Sequence, residues 1–217
     1  MNADEVAAYL KEHPEFFGDY AEQLAQITVP HPHGGHAIPL VERQVVTLRE
    51  KNRLLEEKLA QLITFGEEND AIGEKMHRLA CALAAARDLD SVLYVLGFNL
   101  REDFDVPHVA TRVWGVPAQT RDASEFAAAG EDVRAMAEAL GQAHCGGHVA
   151  QEVLEWFGED GARLRSFALV PLRFGRTLGL TALASEDPER FYPEMGIVYL
   201  ARLGELAGAA LARFQPS

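Results

Sequence analysis

Between residues 40 and 62 a row of aliphatic side chains returns every seven residues: Val41, Leu48, Leu55 and Leu62. Val45, Asn52 and Leu59 stand four positions after the first three. This spacing keeps one face of an α-helix apolar along its length, and two such helices bury that face by winding around each other. With the leucine row at d, Asn52 falls at an a position. There a buried amide lowers stability but favours a parallel, in-register dimer, because its partner asparagine must sit opposite. Lys51 at g and Glu56 at the next e are placed to pair between chains. The other reading is a helix packed on its own domain. The agreement of leucine row, asparagine and g–e pair favours a homodimer, with Val41, Val45, Leu48, Asn52, Leu55, Leu59 and Leu62 as its surface.

The seam then moves. Phe65, Asn69, Ile72, Met76, Leu79 and Leu83 form a second stripe, offset by three residues, with Gly66 and Gly73 nearby. A three-residue offset overwinds a coiled coil locally, and each glycine weakens a helix by about 1 kcal/mol relative to alanine. A stalk is therefore expected to hand over to a globular domain here, at the place where a hinge is easiest. The expected organisation is 1–39, short helices and a linker; 40–68, the dimerisation helix; and 69–217, a folded domain.

Ahead of the stalk, Val6, Tyr9 and Leu10 share a helical face, and Phe16 and Phe17 follow a break at His13-Pro14. Helices this short do not stand alone in water and need something to pack on. The linker from Val29 to Pro39 carries His31, His33 and His36 between prolines and Gly34-Gly35. H-x-H-x-x-H suggests a metal, but a loop without a supporting shell is a poor ligand cage. A turn is preferred, and no metal site is expected.

From about Asn69 the elements read helix, helix, strand, helix, strand, helix, strand, strand, helix. Asp90 or Ser91 is expected to cap the second helix, whose buried face is Val92, Leu93, Leu96 and Leu100. Residues 106–116 alternate as a strand, and Ser124 opens a helix through about Ala143. Arg165–Phe174 and Thr177–Ser185 form a hairpin around Gly175-Arg176, and a last helix runs from about Glu194 to Phe214.

Two stretches carry a family resemblance. Val170-Pro171-Leu172-Arg173-Phe174-Gly175-Arg176-Thr177-Leu178-Gly179-Leu180-Thr181-Ala182-Leu183, followed by Phe191-Tyr192 and a long helix, resembles the closing third of GAF domains. Tyr9-Leu10-Lys11-Glu12-His13-Pro14-Glu15-Phe16-Phe17, Pro30-His31 with Gly34-Gly35, and Leu40-Val41-Glu42-Arg43-Gln44-Val45 with Leu48-Arg49-Glu50 resemble the bacterial domain-of-unknown-function 484 family. The resemblance spans essentially the whole chain. It implies an α+β fold, a GAF-like antiparallel sheet flanked by helices behind a helical, coiled-coil N-terminal region. It supplies no activity, and the cofactor is left unknown.

Signatures of catalysis are missing: G-x-x-x-x-G-K-[ST], H-E-x-x-H, G-x-S-x-G and C-x-x-C do not occur. No enzyme is expected, and no catalytic residue is named. With 20 basic and 33 acidic residues the formal charge is −13, which disfavours nucleic acid and anionic membranes as partners. No stretch approaches the roughly 20 apolar residues of a membrane span, and the acidic N-terminus is unlike a signal peptide. Two widely separated cysteines, Cys81 and Cys145, suit a reduced, cytoplasmic setting.

For a ligand, Arg112 and Trp114 alternate onto one face of the first strand, offering a cation and a stacking surface. Phe167, Leu169 and Arg173 share a face of the next long strand. The run His144-Cys145-Gly146-Gly147-His148 has a metal, haem or redox reading, but a strand start with Cys145 packed inward is preferred. The candidate ligand residues are thus Arg112, Trp114, Cys145, His148, Phe167 and Arg173. The expected function is a non-catalytic dimeric regulator that senses a small molecule and signals through a protein partner. The alternative is a protein–protein scaffold without a ligand.

Overall fold

The computed structural model describes residues 2–29, 38–117, 123–194 and 196–215, and for 25, 26, 28, 29 and 38–42 the backbone only. His31, His33 and His36 lie outside the described residues, as does the side chain of Val41. The chain divides into two compact units, Met1–Glu67 and Glu68–Ser217.

The first unit begins with α1 (Ala3–Glu12), α2 (Phe16–Asp19) and α3 (Ala21–Gln26). Asn2 caps α1 reciprocally. Its side chain accepts from the Glu5 N–H at 2.8 Å while its own N–H donates to the Glu5 carboxylate at 2.9 Å. Phe16 stacks on Tyr20, but α1 buries none of its residues. Two short strands, β1 (Thr28–Val29) and β2 (Ile38–Pro39), pair antiparallel. They lead into α4 (Leu40–Ala85), 46 residues long and helical through both Gly66 and Gly73.

The second unit contains the last turns of α4, then α5 (Leu89–Glu102) and β3 (His108–Val113). Next come α6 (Glu131–Ala139), β4 (His144–Gly146), α7 (Gln151–Glu155), β5 (Ser166–Phe174), β6 (Arg176–Ser185) and α8 (Val198–Ala212). The order of helices and strands is the one expected. The four strands form one antiparallel sheet, β3-β6-β5-β4, so the fold is α+β with helices over both sheet faces. Gly175 turns the β5–β6 hairpin at φ +73°, a conformation in which glycine avoids a Cβ clash.

Two local boundaries differ from expectation. Asp88, not Asp90 or Ser91, caps α5: it holds the extended backbone a cap needs, and its side chain accepts from the Ser91 N–H at 2.7 Å. That contact holds the Asp88 carboxyl below its ordinary value of 3.8. The helix expected from Ser124 is instead a single 3-10 turn, Ser124–Phe126, with α6 starting only at Glu131. The cause is tertiary. Gly130 is extended before α6, and its N–H is held at 2.7 Å by the carboxylate of Glu152.

The core has two layers. On one sheet face Ala168, Val170, Leu172 and Leu183 pack against Met76, Leu79 and Leu83 of α4, Leu96 of α5 and Leu203, Ala207 and Leu211 of α8. The second stripe thus buries Met76, Leu79 and Leu83, whereas Phe65 stays exposed. The chain of α8 lies directly on β5, because a methyl group at Gly204 or Gly208 would fall on the backbone of Pro171 or Arg173. On the other face Leu169, Leu180 and Ala182 pack against Val133, Ala137 and Val153, with Trp114, Trp156 and Phe157 around them.

Candidate functional site

Strand β3 lies at one edge of the sheet, paired to β6 on one side only. An open edge invites pairing with another chain unless something covers its polar groups. Here arginines do so. Arg101 donates to the Val109 carbonyl at 3.3 Å, and Arg112 to the Thr111 carbonyl at 3.0 Å. Just inside the edge, the Thr111 and Thr181 hydroxyls meet at 3.0 Å, a buried pair joining β3 to β6.

A cleft of about 360 Å³ runs beside this edge. One wall is α5, where Tyr94 and Phe98 stack at 5.8 Å with rings 21° apart, although both are largely exposed. The opposite side is formed by Ser124, Glu125 and Trp156. Arg112 sits half-buried in the cleft, its guanidinium 5.0 Å from the Trp156 ring centroid. Burial lowers its pKa, and Glu125 and Glu152 work against that shift. The group remains a cation at neutral pH, as arginine does. Among the described residues no carboxylate stands within 4.0 Å of it.

The other expected ligand residues do not converge on this cleft. Trp114 packs in the second core layer, with Arg134 5.7 Å above its ring. Phe167 is buried against Phe157. Arg173 is occupied by structure: its Nε donates to the Thr177 hydroxyl at 2.9 Å, and its Nη2 donates to the carbonyls of Ala137 (3.1 Å) and Glu138 at the end of α6. Cys145 pairs across β5 with Ala168, and so faces the opposite core layer from Leu169. Its thiol is pushed up by burial, as for a packed hydrophobe rather than a reactive thiolate. His148 is exposed. Among the described residues no group of three or more His, Cys, Asp or Glu is placed to hold a metal.

Tyr94, Phe98, Arg101, Glu125 and Trp156 are the cleft residues that sequence reasoning missed. A signal existed for three of them. Tyr94, Phe98 and Arg101 recur at i, i+4 and i+7 on the side of α5 away from Leu93, Leu96 and Leu100, and two aromatics on a polar helix face are unusual enough to mark a surface.

Sheet, flanking helices and long leading helix together define an α+β domain behind a helical N-terminal region. The chain belongs to the family described as protein of unknown function DUF484, which matches residues 1–216. It is 26% identical over 215 residues to the uncharacterised protein YigA of Salmonella typhimurium, covering 96% of this chain and 90% of that one. The YigA of Shigella flexneri is 36% identical over 88 residues, 41% of this chain and 37% of that protein. Among solved structures, a methyl-accepting chemotaxis protein (residues 122 to 287) is similar at 14% identity and TM-score 0.43, over 65% of this chain and 98% of that one. The native GAF domain of the potassium sensor histidine kinase KdpD from Escherichia coli is similar at 13% identity and TM-score 0.37, over 65% and 94%. Among the described residues no helix is long and apolar enough to cross a membrane.

Proposed function

We propose that this protein is a non-catalytic dimeric regulator: α4 pairs two copies, the GAF-like domain takes up a small molecule, and the bound state is passed to a protein partner. The observation that carries the reading is the bare apolar row of the stalk. Leu48, Leu55, Leu59 and Leu62 are 59–66% exposed on one face of α4. Four leucines left in water at heptad spacing forgo about 1.5–3 kcal/mol each of burial, which a second copy of the helix recovers. Asn52, on the same face, donates to Glu56 of its own helix at 3.3 Å, an exposed contact that a partner asparagine can replace.

Native mass spectrometry tests this. A dimer at gentle settings is the expected result, with a defined small mass shed on denaturation when a ligand has been retained. A monomer at micromolar concentration overturns the dimer.

A second reading has its own support. The sheet face opposite α8 is filled by side chains, and the first unit exposes Tyr9, Phe17 and Tyr20. A scaffold would use those aromatics as its working surface. Alanine at all three removes partner capture under that reading and leaves it intact under the first.

A further inference from the structure

On the sheet face opposite α8, Leu169, Leu180, Ala182, Val133, Ala137 and Val153 pack together as a buried apolar cluster. Space opens instead at the edge of β3, where the lining carries both signs of charge and three aromatic rings. Arg112 is fixed there by its bond to the Thr111 carbonyl and by the Trp156 ring, so it presents a pre-oriented cation in a partly desolvated setting. Glu125 lines the same cleft and is close enough to act on Arg112 electrostatically. Its carboxylate accepts from the Ser124 hydroxyl at 3.1 Å, yet it forms no ion pair with Arg112 among the described residues. Two opposite charges that share a cleft without closing on each other leave room for a molecule that carries both charges in reverse order.

We infer that this cleft binds a small zwitterion with a flat apolar group, the chemical class of an aromatic α-amino acid. The ligand carboxylate lies on Arg112, its ammonium on Glu125, and its ring against Tyr94 and Phe98. The volume, about 360 Å³, falls in the range of small-ligand sites. Charge-assisted bonds at both ends give orientation, and the stacked pair on α5 gives an aromatic preference over an aliphatic one. The inference rests on the small-molecule part of the regulatory reading and names its ligand class.

The test is calorimetric titration of the full-length protein with L-phenylalanine, 3-phenylpropionate and phenethylamine. The second probe lacks the ammonium and the third lacks the carboxylate. Saturable binding of L-phenylalanine is expected, with each truncated probe at least about tenfold weaker. Arg112→Met, which keeps the apolar stem, and Glu125→Gln should each weaken L-phenylalanine by about tenfold or more. Circular dichroism of both variants separates lost binding from lost fold, and Glu125→Gln, at a part-exposed position, serves if Arg112→Met does not fold. Absence of saturable binding up to about 10 mM overturns the inference, as does equal binding of all three probes or indifference to both substitutions. Were the ligand class wrong while the dimer persisted in native mass spectrometry, the regulatory reading would survive its loss.

Discussion

The guanidinium of Arg112 lies over the indole of Trp156 at 5.0 Å while donating to the carbonyl of Thr111, the residue before it in β3. The arginine therefore ties the sheet edge to the segment after α7 at the cost of partial desolvation. The two effects oppose each other, since a cation–π contact contributes about 0.5–2 kcal/mol and a part-buried charge gives some of that back. Arg112→Met should change stability by less than about 1 kcal/mol in urea unfolding, while the emission of Trp156 shifts as its cation is removed.

Arg173 behaves differently. It satisfies the last carbonyls of α6 and the Thr177 hydroxyl together, so its loss strands acceptors that helix geometry cannot serve. Arg173→Ala should cost about 2 kcal/mol in urea unfolding and leave ligand affinity at the β3 cleft unchanged.

Where α8 crosses β5, packing leaves no space for a side chain. At Gly208 a methyl group would meet backbone atoms of Arg173, which cannot swing aside as a flexible side chain can. Gly208→Ala should therefore destabilise by about 3 kcal/mol, seen as a lowered urea midpoint with an unchanged slope. Gly73→Ala gives the contrast. Its Cβ would meet open space within a helix, so the substitution should stabilise by about 0.5–1 kcal/mol.

On the stalk, Leu55→Arg places a charge at a residue that is 64% exposed in the single chain. The folded subunit has no reason to suffer, and its unfolding curve for the second unit should be unchanged. Dimer affinity should fall by at least about tenfold in sedimentation or native mass measurements, because the substitution buries charge at a d position. Persistence of a full-strength dimer would remove the stalk from the interface.

The cap of α5 gives a pH dependence with a definite sign. The folded Asp88 carboxyl titrates below its ordinary value of 3.8, because it accepts from Ser91. Its contribution is present in full above that value and is lost as pH falls through the lower folded one. The stability difference between wild type and Asp88→Ala should be constant near neutrality and vanish in acid, as followed by helix signal against urea at each pH.

Much of this architecture was already legible in the residues. Heptad spacing and helix-versus-strand periodicity are local properties, so a stalk helix from residue 40, the β5–β6 hairpin at Gly175 and the sequence of elements in the second unit could be read without coordinates. Gly66 and Gly73, read as the easiest place for a hinge, instead lie inside one helix of 46 residues. The alternation that put Arg112 and Trp114 on one strand face was equally local. What required the tertiary structure was the fate of each polar group. Arg173, a candidate ligand residue from sequence, is instead taken up by the terminal carbonyls that α6 brings beside it. The helix expected from Ser124 was interrupted because Glu152, from α7, holds the Gly130 N–H. The cleft itself is assembled from α5, the β3 edge, the 3-10 turn and Trp156, elements up to 62 positions apart between Tyr94 and Trp156. Sequence determined which segments would be helix or strand and which faces would be apolar, since those follow from periods of a few residues. Only the packed domain decided which charges were spent as structural caps and which were left facing open space, because that depends on partners the chain brings together from far along its length.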